Sequence, residues 1–261
     1  NVGEGDVRLR SMLETLRYGR QRGWKQVVFG HIGRDPAGSL AKVGKRFEQL
    51  LECPVHFIAD WLDPQSLEVR QEVADTLNKA EPGSVILLEN TRKYDIERVL
   101  WKAKPADAAA LAENLAKLAN QFAEKVATVY VNEALSAGSL DSSSTVVPAG
   151  MGKVALGHYV ASEFDGPMSE CLDASLVVFS GLKIDKLDDL QAIVERGKVR
   201  MVIAAGSLAM ALKKAMAQLD GQDFSLGLAY DSEHSDKPFY IPPALVEQAR
   251  NMIEEGRKEG V

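Results

Sequence analysis

Short apolar runs alternate with longer stretches of helical spacing along most of this chain. Leu9, Met12, Leu13 and Leu16 fall on one face of a helix over 8–22, with Asp6 as its N-cap and Gly23 as its stop. A strand is predicted at 26–30. A helix capped by Ser39 follows, with an apolar side of Leu40, Val43, Phe47, Leu50 and Leu51. The pattern continues through a strand at 54–59, a helix at 66–79, a Pro82-Gly83 turn and a strand at 84–88. Pro105 opens an alanine- and leucine-rich helix over 105–123, a strand is predicted at 126–131, and Ser136–Ser144 reads as a small-residue loop. Strands alternating with helices predict a parallel sheet covered on both faces.

From 153 to 172 the pattern becomes a helical connector interrupted at Gly166-Pro167. Alternation then resumes with strands at 175–179 and 200–205, helices at 184–196, 207–218 and 243–258, and a polar loop at 220–238. The expected fold is α/β: two Rossmann-like three-layer α/β/α domains with parallel sheets. The expected division is a first domain over 1–152, a connector helix over 153–172 and a second domain over 173–261. Two parallel strands make a thin sheet, and the alternation calls for another strand after Val261, so the second domain is expected to be incomplete.

Composition narrows the function classes. The 261 residues carry a net charge of −6, which lacks the basic excess of a general nucleic-acid binder. No apolar run approaches the length of a membrane span. Cys53 and Cys171 stand in neither a CxxC nor a metal-ligand spacing, so a reducing compartment is expected and no metal site.

The polar residues at the strand ends carry the candidate chemistry. His31 and Arg34 follow the strand at 26–30, Arg92 and Lys93 follow that at 84–88, and Asn132 follows that at 126–131. In one parallel sheet all of these share an end, and Arg8 opens a helix pointing to the same side. Cations and helix amino ends around one crevice suit an anion, with phosphate the first candidate. Phosphate-loop, GxGxxG, HExxH and GxSxG signatures are absent. Glu89 and Glu133 read as partners for nearby arginines, His56 as a core or edge residue, and His158 and His234 have no evident partner in the sequence.

Several of these segments together resemble the phosphoglycerate kinase family. Gly30-His31-Ile32-Gly33-Arg34-Asp35 is similar to its Ser-His-Leu-Gly-Arg-Pro loop, and Leu87-Leu88-Glu89-Asn90-Thr91-Arg92 to its Leu-Leu-Glu-Asn-Leu-Arg motif. Val131-Asn132-Glu133-Ala134-Leu135 resembles Val-Asn-Asp-Ala-Phe, and Asn1-Val2 the end of Asp-Phe-Asn-Val-Pro. Ser180–Lys186 resembles the family's lysine turn, and Ala204-Ala205-Gly206 its glycine triplet. The likeness runs in order over nearly the whole chain.

The resemblance implies phosphoryl transfer between Mg-ATP and the carboxylate of 3-phosphoglycerate or a similar acid, a glycolytic type of reaction. Asn1, Arg8, His31, Arg34 and Arg92 would bind the acid; Gly181, Lys183, Lys186 and Gly206 would face Mg-ATP or Mg-ADP; Arg8 and Lys183 would serve catalysis. It also implies a cytoplasmic location, with an organelle left open because the chain begins at Asn1 rather than Met. Departures favour an alternative. Ser139-Leu140-Asp141-Ser142 stands where the family has His-Arg-x-His, Asp35 replaces a proline, and two glycines become Ala204 and Ala205. The lysine turn is one residue short, and the family's later nucleotide motifs have no counterpart before Val261. These changes suit a catalytically inactive structural or binding subunit of a larger assembly.

Overall fold

A computed structural model describes residues 6–135, 140–181 and 186–261. Its chain divides into two compact units, Asn1–Asp165 and Gly166–Val261.

The first unit begins with two helices, α1 (Val7–Ser11) and α2 (Leu13–Gln21), where one helix over 8–22 is expected. Asp6 does not cap by its side chain. Its carboxylate pairs with Arg10 at 2.7 Å and with Arg46 at 2.7 Å, while its carbonyl accepts from the Leu9 and Arg10 amides. α2 buries Leu13, Leu16 and Gly19. A β-carbon at Gly19 would lie 2.4 Å from the Gln26 amide oxygen and would displace that side chain from its hydrogen bond to the Leu16 carbonyl.

Strands β1 (Gln26–Val28), β2 (Val55–Ile58) and β3 (Val85–Leu88) form one parallel sheet in the order β1-β3-β2. The Val-Ile-Leu-Leu run of β3 is fully buried, as a central parallel strand requires. Its alternate residues enter different cores. Val85 and Leu87 meet Leu13, Leu16, Phe47 and Leu51, whereas Ile86 and Leu88 meet Ile58, Leu62, Val73, Phe122 and Val147. The sheet is therefore covered on both faces, by α2 and α3 (Ala41–Leu51) on one side and by α4 (Gln71–Lys79) and α5 (Ala108–Lys125) on the other. His56 lies exposed on the edge strand β2.

The expectation of a single sheet needs correction. β4 (Tyr130–Asn132) pairs with β5 (Val154–Leu156) in a separate two-stranded parallel sheet, and β5 falls where the sequence pattern reads as helix. β5 is too short for a visible period. Between them α6 (Ser142–Gly150) begins inside the stretch expected to be loop. Its first residues are small and hydroxylated, and they bury because their hydroxyls find partners: Ser142 Oγ donates to the Ile96 carbonyl at 2.7 Å, and Ser143 Oγ to the Glu97 carboxylate. α7 (His158–Glu163), a π-turn over Phe164–Met168 and α8 (Ser169–Leu172) complete the connecting region.

In the second unit β6 (Leu176–Gly181) and β7 (Met201–Ala205) form a two-stranded parallel sheet, with α9 (Lys186–Glu195), α10 (Gly206–Leu219) and α11 (Pro243–Glu259). Phe179 and Val202 face a core of Leu187, Leu190, Leu208, Ala211, Val246 and Ala249, while Leu176, Val178, Met201 and Ile203 are exposed. No helix among the described residues is long and apolar enough to cross a membrane.

Candidate functional site

The site is assembled at the carboxyl ends of β1 and β3, where two polar loops are stitched together. The Thr91 amide donates to the Gly30 carbonyl at 3.0 Å, and Asn90 Nδ2 to the Gly38 carbonyl at 2.8 Å. Asn90 also folds its own turn, since its Oδ1 accepts from the Arg92 amide at 3.1 Å. Both loops thus hold each other in place, and Arg92 emerges beside the glycine turn at Gly33, whose φ of 63° suits glycine.

Glu89 supports this arrangement, though not as an arginine partner. Its carboxylate accepts from the Leu40 amide at 2.7 Å, Ser39 Oγ at 2.7 Å and the Asn90 amide at 2.8 Å. It therefore satisfies the amino end of α3 from another strand, and Ser39 assists rather than caps by itself. Glu133 likewise makes no ion pair with an arginine among the described residues. It accepts from Thr15 Oγ1 at 2.6 Å and from the amides of Tyr159 and Val160 at the start of α7. His158 has a partner after all: its Nδ1 lies 3.1 Å from Thr15 Oγ1. Because that hydroxyl gives its hydrogen to Glu133, Nδ1 is the protonated ring nitrogen.

Arg92 departs furthest from expectation. It is buried, and its guanidinium grips Asp141 with two bonds, Nε to Oδ1 at 3.2 Å and Nη2 to Oδ2 at 2.8 Å. Nη1 donates to the Gly33 carbonyl at 2.6 Å, and the group lies over the Trp101 ring at 4.7 Å. Trp101 Nε1 gives Asp141 Oδ1 another hydrogen bond of 2.9 Å. Asp141 is itself only 1% exposed, so this is a buried, satisfied ion pair. Trp101 and Glu97, which no sequence signal singles out, complete its surroundings.

His31 stands next to the pair, with Nδ1 at 3.8 Å from Asp141 Oδ2. Burial lowers its proton affinity, Arg92 and Arg8 lower it further, and only Asp141 acts in the other direction. The neutral imidazole therefore prevails at neutral pH. Burial pushes the Glu97 carboxyl up, against hydrogen bonds from Ser143 and Thr91. Donor atoms of His31, Glu97 and Asp141 lie within 4.8 Å of one another, but Arg92 and Ser143 already engage the two carboxylates. Arg8 and Arg34 are exposed and make no ion pair among the described residues. Lys93 is tied to the Ala59 carbonyl at 3.1 Å, and Asn132 accepts from the Ala134 amide at 3.0 Å.

Arg8, Arg92 and Asp141 thus lie close enough to act on His31, Arg34 follows the Gly33 turn that Arg92 holds, and Arg8 and Arg34 make no ion pair among the described residues. Asn1 and Lys183 lie outside the described residues, as does Ser139. In the second unit Gly181 ends β6, Lys186 opens α9 and Gly206 opens α10.

Comparison with known proteins decides the ancestry. The family model for phosphoglycerate kinase matches residues 3–261. The chain belongs to the phosphoglycerate kinase family. The phosphoglycerate kinase of Candida glabrata is 29% identical over 254 residues, covering 93% of this chain and 56% of its own. That of Lactobacillus delbrueckii subsp. lactis is 27% identical over 228 residues, covering 83% and 53%. The phosphoglycerate kinase structure from Pyrococcus horikoshii superposes with a TM-score of 0.66 at 22% identity, over 97% of this chain and 58% of that one. The Coxiella burnetii structure gives 0.61 at 22% identity, over 98% and 57%. The chain spans about half the length of the curated relatives it matches. Both structural likenesses bear on fold, and agree with the α/β architecture and parallel sheets expected from the sequence.

Proposed function

We propose that the first unit holds a small carboxylic acid for phosphoryl transfer with Mg-ATP, as in the family's reaction on 3-phosphoglycerate. The observation that supports this reading is that Arg8 lies close enough to His31 to act on its charge, beside the stitched loops after β1 and β3, with Arg34 next in the chain to the Gly33 turn. The acid's carboxylate would be held by Arg8 and Arg34, with His31 as a neutral hydrogen-bonding group. A carboxylate oxygen is itself the nucleophile toward the γ-phosphorus, so no side-chain nucleophile is needed, only positive charge and in-line placement.

In the second unit, Gly206 suits a nucleotide phosphate: it opens the 14-residue α10 with φ at 68°, a conformation that favours glycine and offers free helix amides. By family resemblance Gly181, Lys183 and Lys186 would serve the same nucleotide, and the magnesium would travel with it. A cytoplasmic location accompanies this reading.

A coupled Mg-ATP assay on the full-length protein tests it, with 3-phosphoglycerate, glycerate and related acids as acceptors. Turnover lost in Arg8→Ala and Arg34→Ala is expected; absence of turnover with every acid would sink the kinase reading. A second reading, a non-catalytic binding subunit of a larger assembly, is favoured by one observation: Arg92 is already neutralised by Asp141. Acid binding by calorimetry without turnover would select it.

A further inference from the structure

Arg92 is the one arginine of the predicted acid-binding set that is buried, rigidly held and presented edge-on between the two loops. A guanidinium so placed matches a carboxylate or phosphate group with two parallel hydrogen bonds. Here that edge already carries a carboxylate. Asp141 takes Nε and Nη2, and Trp101 Nε1 holds it in position. Ser142 and Ser143, next in the chain, anchor the segment by bonds to the Ile96 carbonyl and to Glu97. Asp141 therefore cannot swing aside without breaking several buried contacts.

The charge balance follows. Arg8, Arg34, Arg92 and Asp141 sum to two positive charges, His31 favours its neutral form, and the buried Glu97 carboxyl beside Asp141 can only lower that balance. A phosphorylated acid brings up to about two negative charges on its phosphate besides its carboxylate. An acid without the phosphate needs only the two free arginines.

We propose that Asp141 is a specificity-determining residue: it fills the anion seat on Arg92, so that the site accepts small carboxylic acids lacking a phosphate in preference to phosphorylated ones. The preference for one acid class rests on the reading that this unit binds an acid at Arg8 and Arg34; the filled seat does not.

Calorimetry on the whole chain tests both, using D-glycerate, 3-phosphoglycerate and inorganic phosphate against the wild type and Asp141→Asn. The wild type is expected to bind glycerate at least as tightly as 3-phosphoglycerate and to ignore phosphate. Asp141→Asn is expected to gain at least about tenfold for 3-phosphoglycerate and phosphate, the scale of one charge-assisted contact. Adding Arg92→Met to that variant should abolish the gain. Wild-type binding of 3-phosphoglycerate tenfold tighter than glycerate overturns the proposal, as does a folded Asp141→Asn with no gain. If the wild type binds neither acid, the acid-binding reading fails and with it the stated preference, while the phosphate gain still decides the filled seat. Should Asp141→Asn unfold in plain buffer, its folding is followed in phosphate and in chloride of equal ionic strength. Recovery in phosphate alone supports the filled seat, and equal behaviour in both salts overturns it.

Discussion

Gly157 stands directly against Glu133: a β-carbon built on it would lie 2.0 Å from Glu133 Oε2. The carboxylate needs that space because it simultaneously holds Thr15 on α2 and the first amides of α7. Gly157→Ala would push the carboxylate off these donors and leave the start of α7 short of partners. The expected cost is about 1–2 kcal/mol, comparable to losing a helix cap. For a unit of this size the transition should fall by about 2–8 °C in a thermal melt. Glu133→Gln should lose less, because one amide oxygen still accepts.

Glu89→Gln tests a cap supplied from a neighbouring strand. Glu89 is buried and accepts three hydrogen bonds, from Leu40, Ser39 and Asn90. A carboxamide has a single acceptor oxygen, so one of these donors is left without its partner. A loss of about 1–3 kcal/mol is expected in urea denaturation. Hydrogen exchange should speed up at Leu40 and Asn90 before the rest of the sheet.

The Arg92–Asp141 pair makes a sharper prediction for single and double variants. Arg92→Met alone strands a buried carboxylate and should cost about 3–5 kcal/mol. Arg92→Met with Asp141→Leu removes both charges, and most of that loss should be recovered. Chemical denaturation of the three proteins measures it. Equal losses in the single and double variants would mean that the pair is not energetically coupled.

The titration of His31 follows from its neighbours. Burial, Arg92 and Arg8 hold its proton affinity below the ordinary imidazole value, while Asp141 raises it. NMR titration should therefore place its midpoint below about 6.5, lower still in Asp141→Asn and higher in Arg8→Gln. In this situation the unfolded chain binds the proton more readily than the folded one. The linked stability is complete above about pH 6.5 and is lost as pH falls toward the folded midpoint. His31→Gln should flatten that part of the stability–pH curve.

Much of the fold was legible because its signals are local. The buried run of β3, the stops at Gly23 and Pro82-Gly83, and the proline that opens the turn before α5 each act within a few residues. β5 escaped because three exposed residues carry no period, and its strand character exists only by pairing with β4. The start of α6 escaped because serines read as loop until Ile96 and Glu97 satisfy them. The site divided in the same way. His31, Arg34 and Arg92 stood out as polar residues ending apolar strands, whereas Trp101 and Glu97 joined the site only through folding.

The amino-acid sequence by itself determined the alternation of elements, the family, and which cations follow the strands in the chain, because periodicity and motif order are properties of neighbouring residues. It also showed that Asp141 brings a negative charge into a loop expected to be basic. Only the tertiary structure decided what that charge does. Forty-nine positions separate Arg92 from Asp141, and no local pattern links them. A buried arginine takes the nearest fixed anion, and the packing of α6 against the turns after β3 makes that anion Asp141.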